Sequence, residues 1–505
     1  MALGQKIRGI LTFTIFSAIL FTLAGTELQK RNFGRQPRFL SKATASRAPQ
    51  NTYIPLVRRS SGFNFLLGME MRVVSEESGL TQIGELGRIW LRLNGVLWSE
   101  VEPVEGQRDW SALSDLENQL VAASQYNTQV ILVVRQTPLW AQKYEGYYCG
   151  PVRQDKFDAF ADFMAAIVRR YSGPPYRVKY WEIGNEPDVD PELSDFWGPD
   201  IPYGCWGDSQ DDFYGGGYYA EMLKTVTPRI KEADPEAKVL VGGLLMNCDP
   251  RTYCPEEINP MEHQPTQFLE GILKQGGGDY FDIVAFHAYD FYLGNLGEYG
   301  YFKWDSSWDK DGPLLKAKAS FIRETLEEYQ VEGKQLMSTE LALICGNHDD
   351  PPGLPPCESD GDSPYEITKA NYAAQVYAAA LAEEVQAGIW YSIAGWRNSG
   401  LLYPDLSPRR AYYAMKFGGE ILGDLAYHGE VTSQEVGGDV PITGYKFQRN
   451  SREVWIVWSL DGGNYEVNLS RPPLAVWNVQ GESLNLSGPS RLTVTVNPVY
   501  IEWGP

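Results

Sequence analysis

Lys179-Tyr180-Trp181-Glu182-Ile183-Gly184-Asn185-Glu186-Pro187 decides how the rest of the chain is read. A short, largely apolar run ends abruptly in an amide, a carboxyl and a proline. Lys179–Ile183 reads as a strand buried on both faces, and Pro187 stops its ladder because it lacks an N–H. Similar runs recur on either side, at Phe63–Glu70, Arg88–Leu93, Gln129–Arg135, Lys238–Leu244, Asp282–Ala288, Lys334–Thr339 and Gly388–Ala394. Between them lie stretches with helical periodicity, such as Phe157–Tyr171, Tyr218–Ala233, Leu314–Tyr329 and Tyr365–Val385. Eight strand-then-helix units between Phe63 and Gly423 predict an α/β fold, a closed (β/α)8 barrel. An open doubly wound sheet would carry a Gly-rich phosphate turn early, and Gly68-Met69-Glu70 is not one. In a barrel, strand ends converge at the mouth, which is where Asn185 and Glu186 arrive.

The flanks differ in character. Residues 1–60 hold ten Lys and Arg against one acid, Glu27. That net +9, set against −21 for the chain, leaves −30 on residues 61–505. Lys6 and Arg8 precede an apolar run, Ile10–Leu23, that is short for a membrane span, with small residues around Thr22-Leu23-Ala24. Residues 1–25 therefore read as a signal peptide or an uncleaved signal anchor, and only the second would bring a membrane partner. Basic residues beyond the run oppose simple translocation. Residues 26–60 read as a basic flexible linker, 61–425 as the barrel, and 426–505 as a small antiparallel β-sandwich. Its strands are expected at Thr443–Gln448, Val454–Ser459, Tyr465–Leu469, Leu492–Val496 and Val499–Trp503, with Asp461-Gly462-Gly463 as a hairpin turn. The expected destination is outside the cell or on its surface. The acidic balance excludes a nucleic-acid backbone as partner, since phosphates need clustered Lys and Arg.

A second acid, Glu340, closes the seventh run in Gln335-Leu336-Met337-Ser338-Thr339-Glu340. Taken singly, Glu186 could be one of a solvated strand-end cluster and Glu340 a salt-bridged loop acid. Taken together, they sit on strands four and seven, across a narrow mouth. Two carboxyls so placed suit glycosidic hydrolysis, with one protonated to assist departure and the other attacking when they lie about 5–5.5 Å apart. Four histidines, none paired at ligand spacing, and no cysteine spacing for zinc argue against a metal enzyme; no cofactor is expected. A Gly-x-Ser-x-Gly elbow is missing too.

From Phe63 to Gly423 the chain resembles the clan A retaining glycoside hydrolases, most of all families 39 and 5. The likeness rests on Asn185-Glu186-Pro187 and Glu340, and on Trp90-Leu91-Arg92 followed by Trp98-Ser99-Glu100-Val101-Glu102-Pro103, Gly106 and Trp110. Thr137-Pro138-Leu139-Trp140, Phe286-His287-Ala288-Tyr289 and Trp396 complete it. It implies that Glu186 is the general acid/base with a raised pKa and Glu340 the ionised nucleophile. It further implies that Asn185 binds the sugar 2-hydroxyl, Tyr289 holds the nucleophile, Arg92 lies beneath Glu340, and His287 lines the site. Trp396, with Trp140 nearby, would floor the sugar subsite. Leu341-Ala342-Leu343 departs from the aromatic, Gly or polar residues common after the nucleophile. The partner implied is an oligo- or polysaccharide. A barrel that binds carbohydrate without turnover is the competing reading.

Loop aromatics at Tyr144, Tyr147, Tyr148, Trp206, Tyr214, Tyr292, Trp304 and Trp308 point to a cleft with several subsites. The six cysteines fall in loops after strands three, four, five and seven. Expected disulfides are Cys149 with Cys205, Cys248 with Cys254 and Cys345 with Cys357; free thiols are the alternative.

Overall fold

Strand formation follows the apolar runs. The computed structural model describes residues 67–191, 203–247, 249, 251, 265–300, 308, 312–346 and 357–504. Residues 1–66 lie outside the described residues, and with them the signal, linker and first strand residues. Eight parallel strands form the inner layer: β1 (Leu67–Glu70), β2 (Ile89–Leu97), β3 (Thr128–Arg135), β4 (Tyr180–Asn185), β5 (Lys238–Leu244), β6 (Ile283–Tyr292), β7 (Gln335–Ile344) and β8 (Val385–Trp390). Each pairs with the next, β1 pairs with β8, and the ring is closed. Alternation divides their side chains. Trp90, Ile131, Leu240, Ile283, Ala285, Met337, Ala387 and Ile389 pack together inside. Leu91, Leu132, Val239, Val241 and Val284 join the outer core beneath the helices.

The helices that follow the strands are α1 (Leu80–Gly84), α2 (Ser114–Ser124), α3 (Phe157–Tyr171), α4 (Gly216–Ala233), α5 (Gln267–Lys274), α6 (Leu314–Glu328), α7 (Pro364–Ala382) and α8 (Arg410–Leu422). In α3, Phe157, Phe160, Phe163, Met164, Ile167, Val168 and Tyr171 recur at three- and four-residue spacing and are all buried. Each such side chain contributes about 1.5–3 kcal/mol of burial. Ser363 caps α7 by accepting from the Glu366 amide at 3.2 Å, with Pro364 in the first turn. That helix is buried almost all round because it lies between the barrel and the C-terminal sheet. No helix among the described residues is long and apolar enough to cross a membrane.

Several boundaries depart from the sequence reading. The eighth strand starts at Val385 and ends at Trp390, and α7 stops at Ala382. Glu384, at φ 49°, takes the left-handed turn that separates them. The seventh strand does not close at Glu340. It runs on to Ile344 beside β6, which itself reaches Tyr292. Its register slips by one residue, since Ser338 pairs with Phe286 but Glu340 pairs with His287. Met337, opposite Ala285, faces inward. Strict alternation would therefore turn Glu340 outward, and the extra residue, Thr339, turns it back in.

The C-terminal unit holds β9 (Ala426–Glu430), β10 (Ile442–Arg449), β11 (Arg452–Ser459), β12 (Tyr465–Asn468), β13 (Ala475–Asn478), β14 (Arg491–Val494) and β15 (Val499–Trp503). Five of these form one antiparallel sheet, and β12 with β14 form a second. Tyr445, Phe447, Val454, Ile456 and Trp458 on one face of the larger sheet share the barrel's core. Trp455, Val457 and Ile501 on the other face pack with Val467, Leu492 and Val494. Phe417 of α8 reaches across, its ring centroid 5.8 Å from Trp477 and 5.4 Å from Tyr500. Truncating Phe417 to Ala is expected to cost about 3 kcal/mol. Urea unfolding checks this, and an unchanged midpoint would refute a joint core.

Candidate active site

One guanidinium organises the mouth. Arg92, on the inward face of β2, is fully buried. Its Nε and Nη2 donate to Glu182 of β4 at 3.0 and 2.8 Å, and Nη2 also to Asn185 Oδ1 at 2.6 Å. Its Nη1 donates to Glu70 of β1 and to Glu340 of β7, both at 2.6 Å. One cation thus meets three carboxyl groups from three strands. Burial pushes the Glu70 carboxyl up to about 8, with Arg92 pulling the other way and Glu340 adding to the rise. Glu70 therefore holds a proton at neutral pH, which lowers the excess negative charge around Arg92.

Glu186 follows β4 with φ 49°, a left-handed conformation uncommon for a side-chain-bearing residue, and its amide donates to Gly243 O at 3.1 Å. Its Oε1 meets His287 Nδ1 at 2.8 Å. Burial raises its carboxyl to about 7 against the pull of Arg92 and Lys318. Burial also lowers His287 to about 4, so the imidazole is neutral at pH 7. A neutral ring beside a carboxyl that keeps its proton is a matched pair. Gly243 makes the room: a Cβ there would lie 2.1 Å from His287 Nε2 and 2.8 Å from Thr339 Oγ1.

Glu340 is set differently. Arg92 donates to Oε1, and the Tyr289 hydroxyl donates to Oε2. Carboxyl oxygens of Glu186 and Glu340 and a ring nitrogen of His287 all lie within 4.8 Å of one another. Among the described residues this is the one group compact enough to hold a cation. Both oxygens of Glu340 already accept hydrogen bonds, and the adjacent guanidinium opposes a second positive charge.

Trp396 stands edge-on to Tyr289 and Tyr391, with centroids 5.7 and 6.0 Å apart. Its turn is tightly held, with Gly395, Arg397 and Asn398 all at positive φ. Buried Lys369 of α7 donates to Asn398 O and Gly400 O at 2.9 Å each, and the Tyr365 hydroxyl donates to Asn398 O at 2.9 Å. The Cys345 amide donates to Arg397 O at 3.0 Å, and Cys345 is bonded to Cys357. Trp140 is half-buried. It packs edge-on against Trp98 at 5.2 Å and donates Nε1 to Glu102 O at 2.9 Å, on the β2–β3 side. Trp206, Tyr214, Tyr292 and Trp308 are buried under the loops, so they do not extend a cleft as expected. Trp304 lies outside the described residues. So do Cys248 and Cys254, whereas Cys149–Cys205 joins the loops after β3 and β4.

Sequence reasoning missed Glu70, Glu182 and Tyr391. Glu70 and Glu182 had a readable signal, since an acid inside or closing an apolar strand needs a buried cation and Arg92 was available. Tyr391 had none, because its place depends on the chain path after Trp390.

No protein-family model matches the sequence, and no curated protein does. Solved structures share the fold. A family 39 glycoside hydrolase from Bacteroides cellulosilyticus superposes with a TM-score of 0.60 at 18% identity, over 86% of this chain and 80% of that one. A GH30 endoxylanase from Clostridium papyrosolvens gives 0.53 at 12%, over 87% and 95%. BuGH86, solved with neoagarooctaose, gives 0.56 at 14%, over 88% and 75%. The chain is similar to these barrels at low identity.

Replacing Arg92 with Met strands three buried carboxyls and is expected to cost about 3–5 kcal/mol. The loss should deepen with pH, because stranded acids bind protons more tightly folded than unfolded. The intact protein carries a milder form of the same slope. Glu70 and Glu186, raised to about 8 and about 7, lend stability that is full below 4.5 and lost as pH climbs through those values. His287 has the opposite sign, but its contribution is complete above 6.5. The melting temperature should therefore fall between about pH 6.5 and 7.5, and fall less in Glu70→Gln. A flat profile in that window would contradict the assignment.

Proposed function

We propose that this protein is a retaining glycoside hydrolase that cleaves β-linked, plant-type poly- or oligosaccharides. The observation that carries the reading is the pair Glu186 and Glu340, with carboxyl oxygens within 4.8 Å and opposite surroundings. So close an approach favours direct attack over an inverting arrangement, whose carboxyls stand about 6.5–9.5 Å apart. Glu340 attacks the anomeric carbon while the bond to the leaving oxygen breaks and Glu186 gives that oxygen its proton. Water then attacks the same carbon, Glu186 takes the proton from it, and the bond to Glu340 breaks. Asn185, oriented by Arg92, faces the sugar 2-hydroxyl, and Trp396 supplies the apolar floor. Similar barrels include an endoxylanase and a protein solved with neoagarooctaose, which supports a carbohydrate ligand.

Export is part of the same reading. Two disulfides in loops around the mouth fit an oxidising compartment. Fractionation of producing cells checks it, and a cytosolic pool alone would count against it.

Three outcomes test the function. A mechanism-based fluorosugar should label Glu340, and the first product should keep its anomeric configuration; inverted product, or neither label nor turnover, overturns the proposal. Glu186→Gln should lose activity by about 10²–10⁴-fold on poor leaving groups, and far less on activated aryl glycosides. The ratio kcat/KM should decline above about pH 7, as Glu186 gives up its proton.

A further inference from the structure

Helix α6 drives one ammonium group into the barrel wall. The Lys318 side chain is buried, and its Nζ donates to Leu245 O just after β5 at 2.6 Å and to His287 O in β6 at 2.8 Å. Leu245 is held from the other side as well. Asp188 accepts from its amide at 2.9 Å and from that of Met246 at 2.8 Å. Asp188 follows Glu186 across Pro187, and His287 returns to Glu186 through Nδ1 at 2.8 Å. The contacts close a ring that runs from Glu186 through Asp188, Leu245, Lys318 and His287 back to Glu186.

Burying an ammonium costs several kcal/mol unless acids answer it. The charges of Asp188 and Asp290 do so. Asp290 also accepts from the amide of Leu314, the first residue of α6, at 2.9 Å, which fixes the helix that carries the lysine. We propose that Lys318 is a positioning residue for Glu186: it closes this ring, aims the carboxyl at the substrate and keeps a positive charge beside it. The proposal rests on Glu186 being the proton donor described above.

The groups that bear on Glu186 are Arg92 from β2, Glu182 from β4, His287 and Tyr289 from β6, Glu340 from β7, Tyr391 just after β8, Asp188 from its own loop, and Lys318. Those around Lys318 are Asp188, Asp290, Glu186 and His287, with the Trp308 ring 5.8 Å away. The two cations that favour the ionised form of Glu186 are Arg92 and Lys318. Arg92 also holds Glu340, so Lys318 is the cation that can be removed without breaking a bond to the second carboxyl. Loss of its charge should let Glu186 keep its proton to higher pH.

Nuclear magnetic resonance of the imidazoles provides a readout that does not need activity, since the full chain has four histidines. The His287 signal should inflect near pH 7 as its neighbour Glu186 titrates. In Lys318→Met that inflection should rise by about half a unit or more, and Lys318→Arg should restore it. Lys318→Gln, which keeps one donor without the charge, covers a Met variant that does not fold. Turnover of substrates with poor leaving groups should fall about 10- to 100-fold in kcat with KM little changed. An unmoved inflection in a folded uncharged variant, or an equal kcat loss in Lys318→Arg, overturns the proposal. If the unaltered protein hydrolyses nothing, the functional reading fails by itself, and the His287 titration still decides whether Lys318 governs Glu186.

Discussion

A guanidinium without solvent has to find its hydrogen-bond partners in the protein, and Arg92 finds carboxyl groups on three other strands. Glu70, Glu182 and Glu340 come from β1, β4 and β7, so the cluster forms only when the barrel has closed. Each ion forfeits several kcal/mol of hydration on burial, and hydrogen bonds in fixed geometry have to return it. Closure of the sheet and assembly of the mouth are therefore one event. The same bonds leave little freedom to Glu340 or Asn185, which is how a scaffold holds a reactive group in place.

Two glutamates with the same chemistry then acquire different characters from their neighbours. Glu340 receives a guanidinium N–H and a phenol O–H. Glu186 receives a neutral imidazole and a desolvated position, and its pKa rises to about 7. Opposed environments around paired carboxyls are what acid–base division of labour requires. Backbone strain contributes to the placement, with Glu186 in the left-handed region and Gly243 opening space for His287.

The outer parts of the molecule act through the loops. Lys369 and Tyr365 of α7 grip the turn that presents Trp396, and α7 is itself clamped by the C-terminal sheet. The Gly297 amide donates to Thr368 Oγ1 at 2.8 Å, and that glycine lies so close to Val496 that a Cβ would meet it at 1.9 Å. The turn between β14 and β15 thus reaches the loop after β6, while the larger sheet packs on the barrel.

The sequence by itself determined the barrel and the antiparallel strands after it, because apolar strand runs are local signals, and it singled out Glu186 and Glu340 as candidate acids. Through the resemblance to a family it also pointed to Arg92, His287, Tyr289 and Trp396. What it could not determine is anything that depends on register or on the path between elements. Glu340 faces inward only because Thr339 is an extra residue in β7, and no composition or periodicity announces a bulge. Trp206, Tyr214, Tyr292 and Trp308 carry the same signal as a subsite wall, and only packing sends them to the core. Lys318 looks on α6 like any surface lysine of an amphipathic helix. Its burial is answered by the charges of Asp188, just after β4, and Asp290, in β6, which come near it only once the barrel is closed. Local pattern chose the elements and the reactive residue types; the tertiary structure chose which charges meet, since a buried charge is settled by neighbours far away in the chain.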